Sequence, residues 1–223
     1  MADSPRATST LVSPLYVVCD DAVCAAAGWP LLDFASACLD GGAQLLQLRV
    51  KAGASNAFTA TAVDLVARAE RYGASVIVND RADVALIARA AGVHVGQDDL
   101  SPADVRRLLG PAAIVGFSTH TDSQIARALE EPLSYLAIGP VFDTSTKNTG
   151  YSEVGLGQVR QASQAAASRR IPVVAIGGIT LARAPGVIRE GAQAVAVISD
   201  LLTGGDPARR VGQFLDVLGS ARG

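Results

Sequence analysis

The sequence predicts an α/β fold, a single (β/α)8 TIM barrel, and three observations carry that prediction. Apolar runs of strand length alternate with helix-like stretches from end to end, eight of each kind of unit. A length of 223 residues suits one such barrel. No linker or shift in composition divides the chain, so the repeat is the βα unit itself. Residues 1–13 read as a disordered lead-in and 14–220 as one barrel domain carrying the catalytic site.

The strand runs fall at 15–19, 44–50, 75–79, 93–96, 114–118, 135–139, 173–177 and 194–198. Helix signals lie between them. Ser55 is placed to cap a helix whose apolar face is Phe58, Ala62, Leu65, Val66 and Ala69, with Gly73 ending it. In SPADVRRLLG, Ser101 caps, Pro102 takes the first turn, Asp104 completes a capping box and Gly110 stops the helix. Pro185 delays or bends the start of the helix after the seventh strand. The long polar segment 141–153 reads as a functional lid.

Bulk composition excludes several classes. Hydrophobic residues make up 49 % of the chain, enough for a large core, and the net charge of −2 lacks the basic excess of a general nucleic-acid binder. No apolar run approaches the ~18 residues of a membrane span, and the first residues have no apolar signal core. Cys19, Cys24 and Cys38 are odd in number and lack CxxC spacing, which argues against disulfides or zinc and for a cytoplasmic protein. Only Lys51 and Lys147 are lysines among 19 basic residues.

In a barrel of this type the site lies at the C-terminal strand ends. In the second strand Gln47, Arg49 and Lys51 share one face and the apolar Leu46, Leu48 and Val50 the other. The basic face is expected to point to the barrel mouth, for an anionic ligand or for structural neutralisation by a carboxylate such as Asp20. Asn79 and Asp80 end the third strand, and Asp98 and Asp99 follow the fourth. Each aspartate alone suits a helix cap or turn. Two carboxylates opposite cations match a magnesium–diphosphate site, since Mg2+ takes one or two carboxylates plus water and phosphate oxygens. Ser118 suits phosphate or a cap, His120 reads as a solvated helix-start residue and His94 as a core histidine. Thr144, Ser145, Thr146 and Lys147 form a hydroxyl-rich basic stretch, while Gly177, Gly178 and Ser199 suit a second anion cup. No nucleophile stands beside an evident base, and no carboxylate pair suits glycoside hydrolysis. Two phosphorylated substrates joined with loss of diphosphate would use the whole set.

QLRVK (47–51), VND (78–80), GVHVGQDDL (92–100), GFSTH (116–120), GPVFDTSTK (139–147), PVVAIGGI (172–179) and VAVISD (195–200) together resemble the thiamine phosphate synthase family over about residues 15–215. The resemblance implies a transferase that joins hydroxymethylpyrimidine diphosphate to hydroxyethylthiazole phosphate, or its carboxylated form, releasing pyrophosphate with Mg2+ as cofactor. It implies Gln47, Arg49, Lys51, Asn79, Ser118 and Lys147 for the pyrimidine diphosphate, with Arg49, Lys51 and Lys147 stabilising the leaving group. It implies Thr144, Ser145, Thr146, Gly178, Ile198 and Ser199 for the thiazole phosphate, and Asp80 and Asp99 for the metal. Asp99 is the aspartate of the family's GQ-x-D pattern, and Asp98 fills the variable slot.

The chain departs from the family pattern at Asp143, often Pro there, and in NTGYSEVG after Lys147. Rival readings are a thiazole tautomerase-like isomerase, a non-catalytic barrel binding thiamine phosphates, and an unrelated phosphate-binding isomerase. The tautomerase is expected to lack part of the diphosphate set, which is complete here. Oligomeric state, including a homo-oligomer, is left open.

Overall fold

The computed structural model describes residues 13–144 and 150–221. The expected lead-in, apart from Ser13, lies outside them, as do Ser145, Thr146 and Lys147. The elements run β1 (Leu15–Asp20), α1 (Asp21–Ala26), α2 (Leu31–Asp40), β2 (Leu45–Arg49), α3 (Ser55–Glu70), β3 (Ser75–Asn79), α4 (Ala82–Ala88) and β4 (Gly92–Val95). They continue as α5 (Pro102–Leu109), β5 (Ile114–Thr119), α6 (Asp122–Ala128), β6 (Tyr135–Ile138), α7 (Gly155–Ala167), β7 (Val173–Ile176), α8 (Ala184–Arg189), β8 (Ala194–Val197), a 3-10 turn at Ser199–Leu202, and α9 (Pro207–Ser220). The eight strands close into a barrel in sequence order, every pair parallel, with β8 joined to β1. All eight strand runs expected from the sequence are present.

Two apolar layers follow from the period of two. Leu15, Val17, Cys19, Leu46 and Leu48 face outward and pack under the helices. Tyr16, Val18, Leu45, Ile77, Tyr135, Ala137, Val174, Ala194 and Ala196 face inward and fill the lower barrel. Gly116 is required here: a Cβ at this position would lie 2.0 Å from the Tyr135 ring, which crosses the barrel floor. Above this layer the inward positions are polar, which opens the mouth.

The helix signals are obeyed with two corrections. Ser101 Oγ accepts from Asp104 N at 3.1 Å and Gly110 closes α5 in the left-handed region. The face of α3 is buried at Phe58, Ala62, Leu65, Val66 and Ala69. Ala54, not Ser55, occupies the α3 cap position, and no side chain caps it; the Ser55 hydroxyl instead accepts from Arg81 Nη1 at 3.1 Å. Pro185 lies in the first turn of α8, which starts late as its sequence requires. Asp80 does not cap α4 either, since Arg81 takes that position.

Candidate functional site

The C-terminal strand ends enclose a cavity of about 490 Å3. Gln47, Arg49, Asn79 and Ser118 line it from β2, β3 and β5, and Gly178, Ile198 and Ser199 line it from the β7 and β8 side. Thr144 joins them from the loop after β6. Eight of the positions singled out in the sequence therefore meet around one volume. Lys51, Asp80 and Asp99 do not line it; they form a separate cluster at the ends of β2–β4.

That cluster is internally connected. Lys51 Nζ donates to Asp80 Oδ2, and Asp80 is also in hydrogen-bond contact with Asp99. Asp99 Oδ2 accepts from Gly96 N at 2.7 Å. Burial pushes the Asp80 carboxyl up, but the bonds with Lys51 and Asp99 bring it below its ordinary value. Burial and the neighbouring Asp80 raise the Asp99 carboxyl despite the Gly96 N–H. Two carboxylates in contact repel one another, and a dication held between them would relieve that repulsion. Asp80 also holds a φ of 63°, an uncommon conformation for a residue with a side chain. No group of three or more His, Cys, Asp or Glu among the described residues is arranged as an all-protein metal cage. Mg2+ does not need one where substrate phosphates complete its shell.

Arg49 has a mixed role. It is paired with the buried Asp20, whose other oxygen caps α1 through Val23 N at 3.1 Å. Its Nε is buried with no partner among the described residues, while the side chain lines the cavity.

A polar chain crosses the cavity floor. Gln47 Nε2 donates to the Tyr16 hydroxyl at 2.9 Å, which meets the Tyr135 hydroxyl at 3.0 Å. Tyr135 meets His94 Nδ1 at 2.9 Å, and His94 Nε2 meets Ser118 Oγ at 2.8 Å. Burial above all holds both phenols protonated, raising each far above its ordinary value. With the Gln47 amide placed to donate, every buried hydroxyl proton finds an acceptor in the order Gln47, Tyr16, Tyr135, His94, Ser118, each donating to the next. In that order His94 Nε2 faces Ser118 as donor, and the Ser118 hydroxyl can turn toward the cavity. His94 thus belongs to the site, where its apolar strand suggests a core residue. Tyr16 and Tyr135 carry no sequence signal beyond strand hydrophobicity, and only their inward register betrays them.

The β7 and β8 side is built from backbone. Val141 N donates to Ile176 O at 2.9 Å and Phe142 N to Gly177 O at 3.1 Å, laying the loop after β6 along the β7 turn. Gly178 has a φ of 61°, and a Cβ there would sit 2.6 Å from Asp143 O, so only glycine fits. The described ends of segment 141–153 are tied down: Asp143 N donates to Glu153 Oε2 at 2.8 Å, and the Tyr151 ring stacks on His120 at 4.0 Å. His120 is half-buried, lines the cavity and bonds to Gly139 O through Nδ1, so it is not the solvated residue expected. Arg183, which the sequence does not mark out, also lines the cavity.

The sequence pattern of the family described as thiamine monophosphate synthase matches residues 15–201, which span every strand of the barrel. The chain belongs to this family. A thiamine-phosphate synthase of Koribacter versatilis is 43 % identical over 190 residues, 85 % of this chain and 87 % of that one. A thiamine-phosphate synthase of Synechococcus sp. is 43 % identical over 188 residues, 84 % of this chain; the chain spans about half, 52 %, of that longer relative. Among solved structures, a thiamine phosphate pyrophosphorylase from Pyrococcus furiosus superposes with a TM-score of 0.83 at 29 % identity, covering 94 % of this chain and 96 % of that one. Gln47, Arg49, Asn79 and Ser118 lie inside the matched span and line the cavity.

Proposed function

We propose that the protein is a thiamine-phosphate synthase, a transferase that joins hydroxymethylpyrimidine diphosphate to hydroxyethylthiazole phosphate in thiamine biosynthesis. The observation that carries this reading is one cavity with polar and cationic residues on its β2–β5 wall and glycines and hydroxyls on its β7–β8 wall, with an aspartate pair beside the first. In this reading residues 14–220 act as one catalytic unit. The bond from the pyrimidine methylene carbon to the diphosphate oxygen breaks, and the thiazole nitrogen forms a bond to that carbon. Pyrophosphate leaves with the electron pair.

Such a step needs positive charge on the leaving group more than a base. Arg49 contributes its guanidinium from the cavity wall, and Lys51 stands beside the aspartate pair. Lys147, outside the described residues, is assigned the same task from the resemblance. Gln47, Asn79 and Ser118 orient the pyrimidine diphosphate, Ser118 through the hydroxyl proton that the floor chain leaves free. Gly178, Ile198, Ser199 and Thr144, with Ser145 and Thr146, hold the thiazole phosphate. Holding both partners in one volume supplies proximity.

Asp80 and Asp99 would hold the Mg2+ ion. When bound, the ion supplies charge neutralisation to the diphosphate. The reading also includes a cytoplasmic location, supported by three buried free thiols. No helix among the described residues is long and apolar enough to cross a membrane.

The test is product formation from the two substrates with and without Mg2+, with thiamine phosphate detected by mass. Magnesium-dependent product supports the synthase. Binding of thiazole phosphate without product refutes it and favours the tautomerase-like isomerase or the binding protein.

A further inference from the structure

Charge is unevenly spread over the cavity wall. Arg49 lines the β2–β5 half. The glycines, hydroxyls and apolar side chain that line the β7–β8 half, Gly177, Gly178, Thr180, Ile198, Ser199 and Thr203, are neutral. Its carboxylates are Asp200 and Asp143. Asp200 Oδ2 is held by Arg210 Nη2 at 2.7 Å and accepts from Leu181 N at 3.2 Å. A phosphate monoester carries close to two negative charges at neutral pH. Neutral donors alone would leave that charge uncompensated beside two carboxylates.

Arg183 is the one guanidinium that lines this half among the described residues. It occupies the cap position of α8, five residues beyond Gly178. Its Nη1 donates to Gly178 O at 2.8 Å, and its guanidinium lies 4.6 Å over the Phe142 ring. These two contacts aim a planar cation along the cup wall and leave its other N–H groups with no hydrogen-bond partner among the described residues. It forms no ion pair with Asp143. A guanidinium presents paired N–H groups in a fork that fits two phosphate oxygens.

We propose that Arg183 is a substrate-binding residue that completes the β7–β8 cup by taking the phosphate dianion of the thiazole partner. The proposal rests on the synthase reading of this cavity. It makes Arg183 the residue by which the enzyme prefers the phosphorylated thiazole over the free alcohol.

The experiment compares hydroxyethylthiazole phosphate with hydroxyethylthiazole itself, in the wild type and in Arg183→Gln and Arg183→Lys, by calorimetric binding and by KM in product formation. In Arg183→Gln the ratio of affinities for phosphate over alcohol falls about tenfold, the lower end for a charge-assisted contact at an exposed residue. KM for the pyrimidine diphosphate moves much less, and Arg183→Lys recovers part of the ratio. A purely structural staple on Phe142 and Gly178 would weaken both thiazoles equally and leave the ratio unchanged; that result overturns the proposal. A wild type that makes thiamine phosphate while the Arg183→Gln ratio is unchanged refutes this inference alone. A wild type that makes none overturns the synthase reading and the inference with it.

Discussion

Removing one oxygen atom from the cavity floor tests the polar chain directly. Tyr135→Phe keeps the ring, so its stack on His94 (centroids 5.6 Å apart) and its edge contact with Tyr16 (5.9 Å) survive. Gly116 opposite leaves no side chain to refill the space. What is lost is the hydroxyl that accepts from Tyr16 and donates to His94. Each such bond is worth about 0.5–1.5 kcal/mol net, and a buried polar group left unpaired costs about 1–3 kcal/mol. Here the Tyr16 O–H and His94 Nδ1 each lose this bond, and both residues are under a tenth exposed. Water entering from the cavity offsets part of this. The expected loss is about 2–3 kcal/mol, read as a shift in the urea midpoint at unchanged slope.

The same substitution has a functional signature. His94 sets the Ser118 hydroxyl, so freeing His94 is expected to raise KM for the pyrimidine diphosphate. Tyr135→Phe and Ser118→Ala then act on one chain, and the double variant is expected to lose less than the sum of the two. A stability loss below about 0.5 kcal/mol would show that the hydroxyl is not the satisfied bridge described, on the same scale of hydrogen-bond energies. Strict additivity of the two KM effects would refute the coupling of Tyr135 to Ser118.

Other perturbations follow from the same geometry. Asp99→Asn is expected to raise the Mg2+ concentration needed for half-maximal turnover without lowering thermal stability; an unchanged Mg2+ titration would remove Asp99 from the metal pair. Gly178→Ala forces a Cβ against Asp143 O at 2.6 Å at a φ of 61°, so KM for thiazole phosphate is expected to rise several-fold or more and the melting temperature to fall, by comparison of the two substrates' KM values and by calorimetry. Burial pushes the Cys24 thiol from 9.0 up to about 12. The unfolded chain therefore binds fewer protons than the folded one between those values, and stability is expected to fall as pH rises through that window. Urea melts at alkaline pH should show a shallower fall in Cys24→Ala; identical slopes would exclude the thiol as a source.

The fold was legible because parallel barrel strands repeat one pattern, apolar toward the helices and apolar or small toward the lumen. Leu46 and Leu48 against Gln47 and Arg49 gave both the strand and the direction of its polar face. The aspartate pair was legible because Asp80 and Asp99 are polar residues at the ends of apolar runs. Tyr16, His94 and Tyr135 were hidden by the same logic: they sit among Val, Leu and Ala, and their function lies in contacts across strands, with Tyr16 and Tyr135 separated by 119 residues. Ser55 misled because a cap is a backbone position as well as a residue type, and Ala54 holds the extended conformation that the position needs.

Arg183 illustrates a different limit. In sequence it is one arginine among many at the start of a helix, and a surface charge is the ordinary reading of such a residue. Its significance comes from what surrounds it. The cup it borders is assembled from glycine backbone and hydroxyls because close approach of a phosphate demands small residues, and small residues bring no charge. Compensation therefore has to come from a longer side chain rooted outside the cup and reaching in, held by a carbonyl and an aromatic face. At the other end of the cavity the cation, Arg49, stands on the strand itself, paired to Asp20 at its root. In the proposed reading the diphosphate is met by residues at the strand ends, and the monoester by an arginine at the start of the next helix. The two halves thus reach charge balance by different routes, and only the first leaves an alternating pattern in the sequence.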